Sequence, residues 1–305
     1  MTHSLSASLT GFVAIVGRPN VGKSTLLNAL VGEKVSITSR KAHTTRQAVR
    51  GVLTRTIDGV STQFIFVDTP GMDGRAPTEL NRRMNQSVRG ALSEVDVIVM
   101  VIDAKAWTKG DSAVLQCLPE APHKARVLLA INKVDALKDK NALLPLMAQA
   151  QGRYPFVALL PVSAEKSLYL DALLSEIAKG LPPGEPLFES DAYTDRSARF
   201  LAAELVREKA FRLLGDELPY GLAVSIERWQ EDDACVHIDV TIWLERDSHR
   251  AMVIGAGGAK LREIGRLARL EIEQLLHKKV RLDSYVRVRR GWSDRAADLK
   301  MFGYE

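Results

Sequence analysis

Between residues 12 and 180, short apolar runs recur at intervals and amphipathic stretches fill the gaps. FVAIVG (12–17), FIFVD (64–68), VIVMVID (97–103), VLLAIN (127–132) and FVALLPVSA (156–164) are rich in Val, Ile and Leu. Runs of this length and composition predict strands buried on both faces, as in a parallel sheet covered by helices. KSTLLNALVG (23–32) and TELNRRMNQSVRGALSEV (78–95) carry helical spacing between them. The segment therefore predicts an open α/β domain of βαβ units, placed over residues 10–181.

The rhythm breaks at LPPGEPLFESDAYTD (181–195), where prolines and a glycine forbid regular helix, so residues 182–198 read as a linker. RFLAAELVREKAFRLL (199–214) then sets Ala202, Val206, Ala210 and Leu213 on one helical stripe. A short strand is expected from Leu222 to Ile226. Residues 234–244 alternate, with Val236, Ile238, Val240, Ile242 and Leu244 on one face and His237, Asp239 and Thr241 on the other. A later strand turns Val280, Leu282, Val286 and Val288 inward and Arg281, Arg287 and Arg289 outward. The predicted order of this smaller α+β domain, 199–305, is α-β-β-α-β.

Composition changes this picture little. The chain has 305 residues, 46% hydrophobic and 26% charged, an ordinary globular balance for two domains. A formal charge of +5 does not by itself specify nucleic acid, so the placement of the cations decides. Cys117 and Cys235 are far apart, which argues against a disulfide framework or a metal knuckle and fits a reducing compartment. MTHSLSASLTG at the start lacks the apolar core of a signal peptide, and VIVMVIDA is too short to span a bilayer. The expectation is a soluble protein.

The chemistry starts at GRPNVGKST. Gly17, Arg18, Pro19, Asn20, Val21, Gly22, Lys23 and Ser24 fit the G-x4-G-K-[ST] pattern, with Thr25 following. A strand precedes the motif and a helix follows it, so its backbone N–H groups would form an anion nest at a helix N-terminus. Lys23 would reach the β- and γ-phosphates, and the Ser24 hydroxyl would ligate Mg²⁺. The loop alone suits ATP as well as GTP. NKVD, residues Asn132, Lys133, Val134 and Asp135, argues for guanine. A carboxylate at Asp135 can accept from guanine N1–H and the 2-amino group, whereas adenine would leave it unpaired. Asn132 would brace the base and neighbouring loops, and the Lys133 stem would cover the ring.

DTPG, residues Asp68, Thr69, Pro70 and Gly71, ends another strand. Asp68 would hold Mg²⁺ through a water and the Gly71 N–H would meet the γ-phosphate. Ser163 and Ala164, at the end of the last strand, are small enough to bring backbone N–H groups to the base. In HTTRQ (43–47) a threonine can ligate Mg²⁺ when the γ-phosphate is present; Thr45 is the candidate and Thr44 the second choice.

GRPNVGKS, TTR, DTPG, NKVD and SA in this order resemble the translation-factor class of GTPases. The linker, RFLAAELVREK, DELPY and LERDSHRAMVIGAGGAKLREIG resemble the Era family, from about residue 10 to the C-terminus. The resemblance implies GTP hydrolysis to GDP, and the lack of a water-orienting Gln and of an obvious arginine finger predicts a slow intrinsic rate. Met72 stands where many small GTPases carry a water-orienting Gln, and it resembles the hydrophobic residue of this family. Asn20 matches an asparagine that resembles a K⁺ ligand in related GTPases, and K⁺ would neutralise charge as an arginine finger does.

A second glycine loop, VIGAGGAKLREIG (253–265), has no Gly-Lys-Ser and so no Mg²⁺ ligand. Its G-x-x-G turn, Gly255, Ala256, Gly257 and Gly258, can approach a single-stranded nucleic-acid phosphate, and the α-β-β-α-β order with G-x-x-G in this place resembles a type II KH domain. Families of this type usually place a Lys in the loop; here Ala256 and Gly257 leave the charge to Lys260 and Arg262, with Arg266, Arg269, Arg287, Arg289 and Arg290 nearby. Trp243, Trp292 and Tyr285 read as partial core rather than base-stacking groups.

The resemblance implies a GTP/GDP switch that binds 16S ribosomal RNA near its 3′ end and assists assembly of the 30S subunit. It implies a cytoplasmic monomer, with weak peripheral association to the inner membrane for which the sequence shows no anchor. The alternatives are a cell-cycle or membrane-signalling switch and a tRNA-modification GTPase. A plain kinase or ATPase is disfavoured by NKVD.

Overall fold

The apolar runs line up side by side in one sheet because each offers side chains to two cores at once. The computed structural model describes residues 8–38, 44–71, 78–120, 123–214 and 221–304. The chain divides into two compact units. The first takes in residues 1–36, 45–75 and 84–195, the second 37–44, 76–83 and 196–305.

In chain order the first unit contains β1 (Leu9–Val16), α1 (Lys23–Val31), β2 (Val49–Ile57), β3 (Val60–Asp68), most of α2 (Glu79–Ser93), β4 (Val97–Asp103), α3 (Lys109–Leu115), β5 (Arg126–Asn132), α4 (Leu143–Gln151), β6 (Ala158–Pro161) and α5 (Leu170–Ala178). The sheet runs β2-β3-β1-β4-β5-β6 and is parallel except for the β2–β3 pair. Val13, Ile15, Val97, Val99 and Val101 point into a core with α1 and α5. Their neighbours Ala14, Val16, Ile98, Met100 and Ile102 point the other way, into a core with α2, α3 and α4. Double-sided burial is why these strands show no polar alternation.

Five of the six strands are visible as apolar runs. The sixth, β2, is not, because it lies at the edge and its outer half is exposed. It is paired through the hairpin residues Asp58 (φ 50°) and Gly59 (φ 83°), the left-handed pair that two-residue hairpins favour.

Residues 182–195 follow the sheet closely. The Thr10 N–H donates to the Pro182 carbonyl at 3.1 Å, and the Val52 N–H donates to the Tyr193 carbonyl at 2.9 Å. Gln63, 1% exposed, accepts from the Leu187 and Phe188 N–H groups and donates to the Phe188 carbonyl. The prolines of this stretch forbid helix but leave carbonyls free to accept.

The second unit contains α6 (Ala198–Leu213), β7 (Leu222–Glu231), β8 (Cys235–Leu244), α7 (Arg250–Ile254), α8 (Ala259–Leu276), β9 (Lys279–Val288) and α9 (Ala296–Met301). β8 is central, antiparallel to β7 and parallel to β9. Its five alternating apolar residues are buried against Ala202 and Val206 of α6 and Ile264, Ala268 and Ile272 of α8. β7 is twice as long as its apolar pattern suggests, because its outer half, beyond a bulge at Ile226/Arg228, pairs with β8 through polar residues. The α-β-β-α-β order holds, with α7 inserted before the glycine loop and α9 added at the end. Trp292 is fully buried against Phe302 and Tyr304, Trp243 is half-buried, and Tyr285 is 50% exposed. Cys117 and Cys235 are both free.

Phe66 is fully buried and stacks on Phe64 at 5.8 Å. Phe66→Ala is expected to destabilise the protein by about 3–5 kcal/mol, read as a lowered midpoint in equilibrium urea denaturation.

Candidate functional site

The carboxyl ends of β1, β3, β4 and β5 and the turn after β6 deliver the predicted nucleotide-binding residues to one edge of the sheet, where open α/β sheets bind ligands. The phosphate loop leaves β1 at Gly17, turns through Asn20 (φ 65°) and Gly22 (φ 98°), and enters α1 at Lys23, with Thr25 in the first turn. Gly22 is irreplaceable for two reasons. Its backbone is left-handed, and a Cβ there would lie 2.4 Å from Asn132 Nδ2. Val21 is fully buried beneath the loop. Arg18 is held outward by Asp111, whose carboxylate accepts from its Nε at 3.1 Å while also capping α3.

Lys23 is 6% exposed, and its ammonium donates to the carbonyls of Gly17 (3.0 Å) and Arg18 (3.1 Å). Burial lowers its pKa to about 8; the Asp68 charge raises it and the Arg18 charge lowers it further. Asp68, fully buried at the end of β3, is the centre of an oxygen cluster. Its Oδ2 accepts from Ser24 Oγ (2.7 Å), Ser36 Oγ (2.9 Å) and Thr45 Oγ1 (3.2 Å), and Ser24 and Thr45 lie 2.9 Å apart. Its Oδ1 is buried without a hydrogen-bond partner among the described residues. Burial pushes the Asp68 carboxyl above its ordinary range, against the pull of Lys23 and the three hydroxyls. Hard oxygens around an unsatisfied carboxylate are a donor set that suits Mg²⁺.

Thr45, 6% exposed, is the threonine this cluster includes; the Thr44 carbonyl accepts from Arg207 Nη2 within the second unit. Thr69 turns its hydroxyl back to the Ile15 carbonyl at 2.9 Å. Pro70 is buried, and Gly71 lies against Pro19 of the phosphate loop, where a Cβ would stand 3.0 Å away. Met72 lies outside the described residues.

On the base side, Asn132 is 2% exposed and joins two loops. Its Nδ2 donates to the Val21 carbonyl at 2.8 Å and its Oδ1 accepts from the Ala164 N–H at 3.0 Å. Lys133 (φ 69°) donates from its Nζ to the Asn20 carbonyl at 2.6 Å and pairs with Asp103 Oδ2 at 2.9 Å. Burial pushes the Asp103 carboxyl up, but the Lys105 N–H and Lys133 outweigh it and hold it below the usual range. Val134 is buried and its N–H bonds the Val162 carbonyl at 3.2 Å. Asp135 is exposed, and its Oδ1 accepts from Ser163 Oγ at 2.5 Å.

Three groups escape the sequence reading. Asp103 ends β4 as Asp68 ends β3, a positional signal that could have found it. Asp111 carries only a capping pattern. Ser36 stands in a stretch with no periodicity and gives no signal.

The second glycine loop joins α7 to α8 through Gly255 (φ 72°), Ala256, Gly257 (φ 55°) and Gly258 (φ 78°). A Cβ on Gly255 would meet Lys260 at 2.8 Å. A groove of ≈ 630 Å³ opens beside it, lined by Arg262, Arg266 and Arg269 of α8 and by Leu282, Asp283 and Ser284 of β9. Arg266 is paired with Glu263 at 2.8 Å and Arg269 with Glu273 at 3.1 Å. Among the described residues neither Lys260 nor Arg262 is ion-paired, which leaves their charge available. Arg289 is paired with Asp298 at 2.5 Å, and Arg287 lies over the Trp243 ring. No helix among the described residues is long and apolar enough to cross a membrane.

Comparison with known proteins agrees with this geometry. A family described as 50S ribosome-binding GTPase matches residues 12–133, and the KH domain family matches residues 217–293. GTPase Era of Bordetella avium is 54% identical over 302 residues, covering 99% of this chain and 100% of that protein. GTPase Era of Xanthomonas axonopodis pv. citri is 49% identical over 305 residues, covering 100% of both. A crystal structure of an Aquifex aeolicus Era variant bound to GDP and aluminium fluoride matches with a TM-score of 0.91 and 40% identity, covering 97% of this chain and 99% of that one. An Era in complex with MgGDPNP and nucleotides 1506–1542 of 16S ribosomal RNA matches with a TM-score of 0.92 at 40% identity and the same coverage.

The lowered pKa of Lys23 carries a pH dependence. Bound phosphates favour the protonated ammonium, so guanine-nucleotide affinity is full below the free-state value of about 8 and falls as pH rises through it. The fall is at most about tenfold per pH unit. Fluorescent GDP titrations between pH 7 and 9 measure it; a flat profile would mean that Lys23 keeps its proton in the free protein.

Proposed function

The chain belongs to the Era family of GTPases, and from that premise we propose that it couples its GTP cycle to binding of the 3′ region of 16S ribosomal RNA during assembly of the small (30S) ribosomal subunit. The observation that carries the nucleotide half is the Asn132 amide, which ties the phosphate loop to the Ser163–Ala164 loop and so holds both ends of one nucleotide site in register. Asp135 then reads guanine, its carboxylate already aimed by Ser163.

Lys23 and the N–H groups of residues 17–25 hold the phosphates, with Lys23 exchanging its loop carbonyls for phosphate oxygens. Ser24 and Thr45 would ligate Mg²⁺ and Asp68 would hold it through a water, and the ion would supply neutralisation of charge developing on the phosphate oxygens. The Gly71 N–H meets the γ-phosphate. A thioether at Met72 cannot orient water, so the attacking water is placed by backbone groups, the bound γ-phosphate or a partner, and intrinsic turnover is slow. Asn20, exposed in the phosphate loop, is suited to hold a K⁺ ion beside the β- and γ-phosphates.

The RNA half is supported by the GxxG loop with its uncommitted Lys260 and Arg262, by the groove beside α8, and by the RNA-bound relative. GTP ordering the segments around Thr45 and Gly71 raises RNA affinity, and hydrolysis releases the RNA. The family resemblance alone carries a cytoplasmic, monomeric setting with weak peripheral contact to the inner membrane.

Asp135→Asn is expected to lower GTP affinity by about 10²-fold or more. It should gain xanthine nucleotide instead, because the amide can donate to the xanthine 2-carbonyl. Competition of fluorescent GDP with GTP, XTP and ATP reads this out, and a wild type that prefers ATP would overturn the assignment. A double Lys260→Ala, Arg262→Ala variant is expected to weaken binding of a 16S 3′-end oligonucleotide and to reduce the salt slope by up to about 2. Anisotropy with GDP- and GTP-analogue-loaded protein tests both this and the coupling. RNA affinity that ignores both the nucleotide and the two cations would remove the RNA half of the reading.

A further inference from the structure

Ser36 has no place in any motif, yet its side chain reaches the Asp68 carboxylate around which the oxygen cluster is built. It is 3% exposed, and its hydroxyl donates to Asp68 Oδ2 at 2.9 Å. The backbone that carries it belongs to no helix or strand. A side chain of α1 holds it instead. Asn28 Nδ2 donates to the Ser36 carbonyl at 2.7 Å, while Asn28 Oδ1 accepts from the N–H groups of Val35 (3.1 Å) and Ser36 (2.9 Å). Asn28 stands one helical turn after Ser24, so the same side of α1 supplies a hydroxyl to Asp68 and a clamp for a second hydroxyl.

We propose that Ser36 is a positioning residue for the Mg²⁺ site: clamped by Asn28, it holds the Asp68 carboxylate in the orientation that receives the cation, and so sets Mg²⁺ affinity rather than nucleotide affinity. The proposal rests on the reading of Ser24 and Asp68 as the Mg²⁺ side of the nucleotide site. Of the three hydroxyls on Oδ2, those of Ser24 and Thr45 belong to oxygens that a bound cation takes up. Ser36 is the third, and its position is set by an amide on α1 rather than by ligand. An aspartate carboxylate otherwise turns in a broad two-fold well. Pinning Oδ2 directs Oδ1, buried and unpartnered among the described residues, into the pocket before the cation arrives. Groups one shell out from a metal commonly change its affinity by about 10–100-fold when removed.

The experiment uses the full-length protein loaded with fluorescent mant-GDP, and follows mant-GDP release as free Mg²⁺ is varied. Ser36→Ala is expected to raise the Mg²⁺ concentration needed for half-maximal retention by about tenfold. Mant-GDP affinity in excess EDTA stays unchanged, and Ser36→Thr, which keeps the hydroxyl, restores the midpoint. An unchanged midpoint in Ser36→Ala overturns the proposal. So does an equal loss of mant-GDP affinity with and without Mg²⁺, which would mark Ser36 as purely structural. Should Ser36→Ala fail to fold, Asn28→Ala carries the same test: a raised midpoint supports the proposal and an unchanged one overturns it. A wild type whose retention ignores Mg²⁺ would instead sink the parent reading of Ser24 and Asp68, and the proposal with it.

Discussion

One buried side-chain amide ties the nucleotide site together. Asn132 sits at the end of β5 with both of its polar atoms spent on backbone, one on the phosphate loop and one on the loop after β6. Neither loop is regular structure. The amide joins them, and it leaves no room for a side chain at Gly22. Lys133 reinforces the arrangement from the next position, drawn between the Asn20 carbonyl and Asp103. The phosphate loop after β1 and the segment after β5 that carries Asp135 are thus linked by one side chain at the end of β5.

Around that clamp lies an electrostatic conflict. Lys23 and Asp68 are both buried, and burial works against both charges, lowering the lysine and raising the aspartate. Each partly relieves the other, but Asp68 keeps a buried oxygen without a partner among the described residues. A phosphate beside Lys23 and a divalent cation beside Asp68 would relieve both at once, so nucleotide and metal would bind cooperatively here. The hydroxyls of Ser24, Ser36 and Thr45 make the interim arrangement tolerable without closing the site.

On the proposed reading, the second unit would meet a phosphate by a different route. Its glycine loop carries neither a lysine nor a carboxylate; Gly255, Gly257 and Gly258 take positive φ around Ala256, with Lys260 and Arg262 just beyond. Exposed charge of this kind attracts a polyanion through the solvent and is screened by salt. On the proposed reading, the contrast answers why one chain carries two glycine loops: the first would enclose a single nucleotide with its metal, and the second would offer an open backbone surface to a strand.

What the sequence by itself determined is the layered α/β unit, the α-β-β-α-β unit, and every motif that follows the end of an apolar strand. Double-sided burial and strict alternation write themselves into residue type, and Gly22, Lys23, Ser24, Asp68, Asn132 and Asp135 stand at offsets that a strand-to-loop transition dictates. β2 was hidden because an edge strand with an exposed half needs no apolar run. The attachment of residues 182–195 was hidden because it is made through backbone carbonyls and one distant glutamine, Gln63. Only the tertiary structure decided that Ser36 joins the cation cluster, that Asp103 holds Lys133, and that Trp292 is core. The first two contacts join residues 30 or more positions apart through a single hydroxyl or carboxylate, and no local pattern of apolar and polar positions encodes such a meeting.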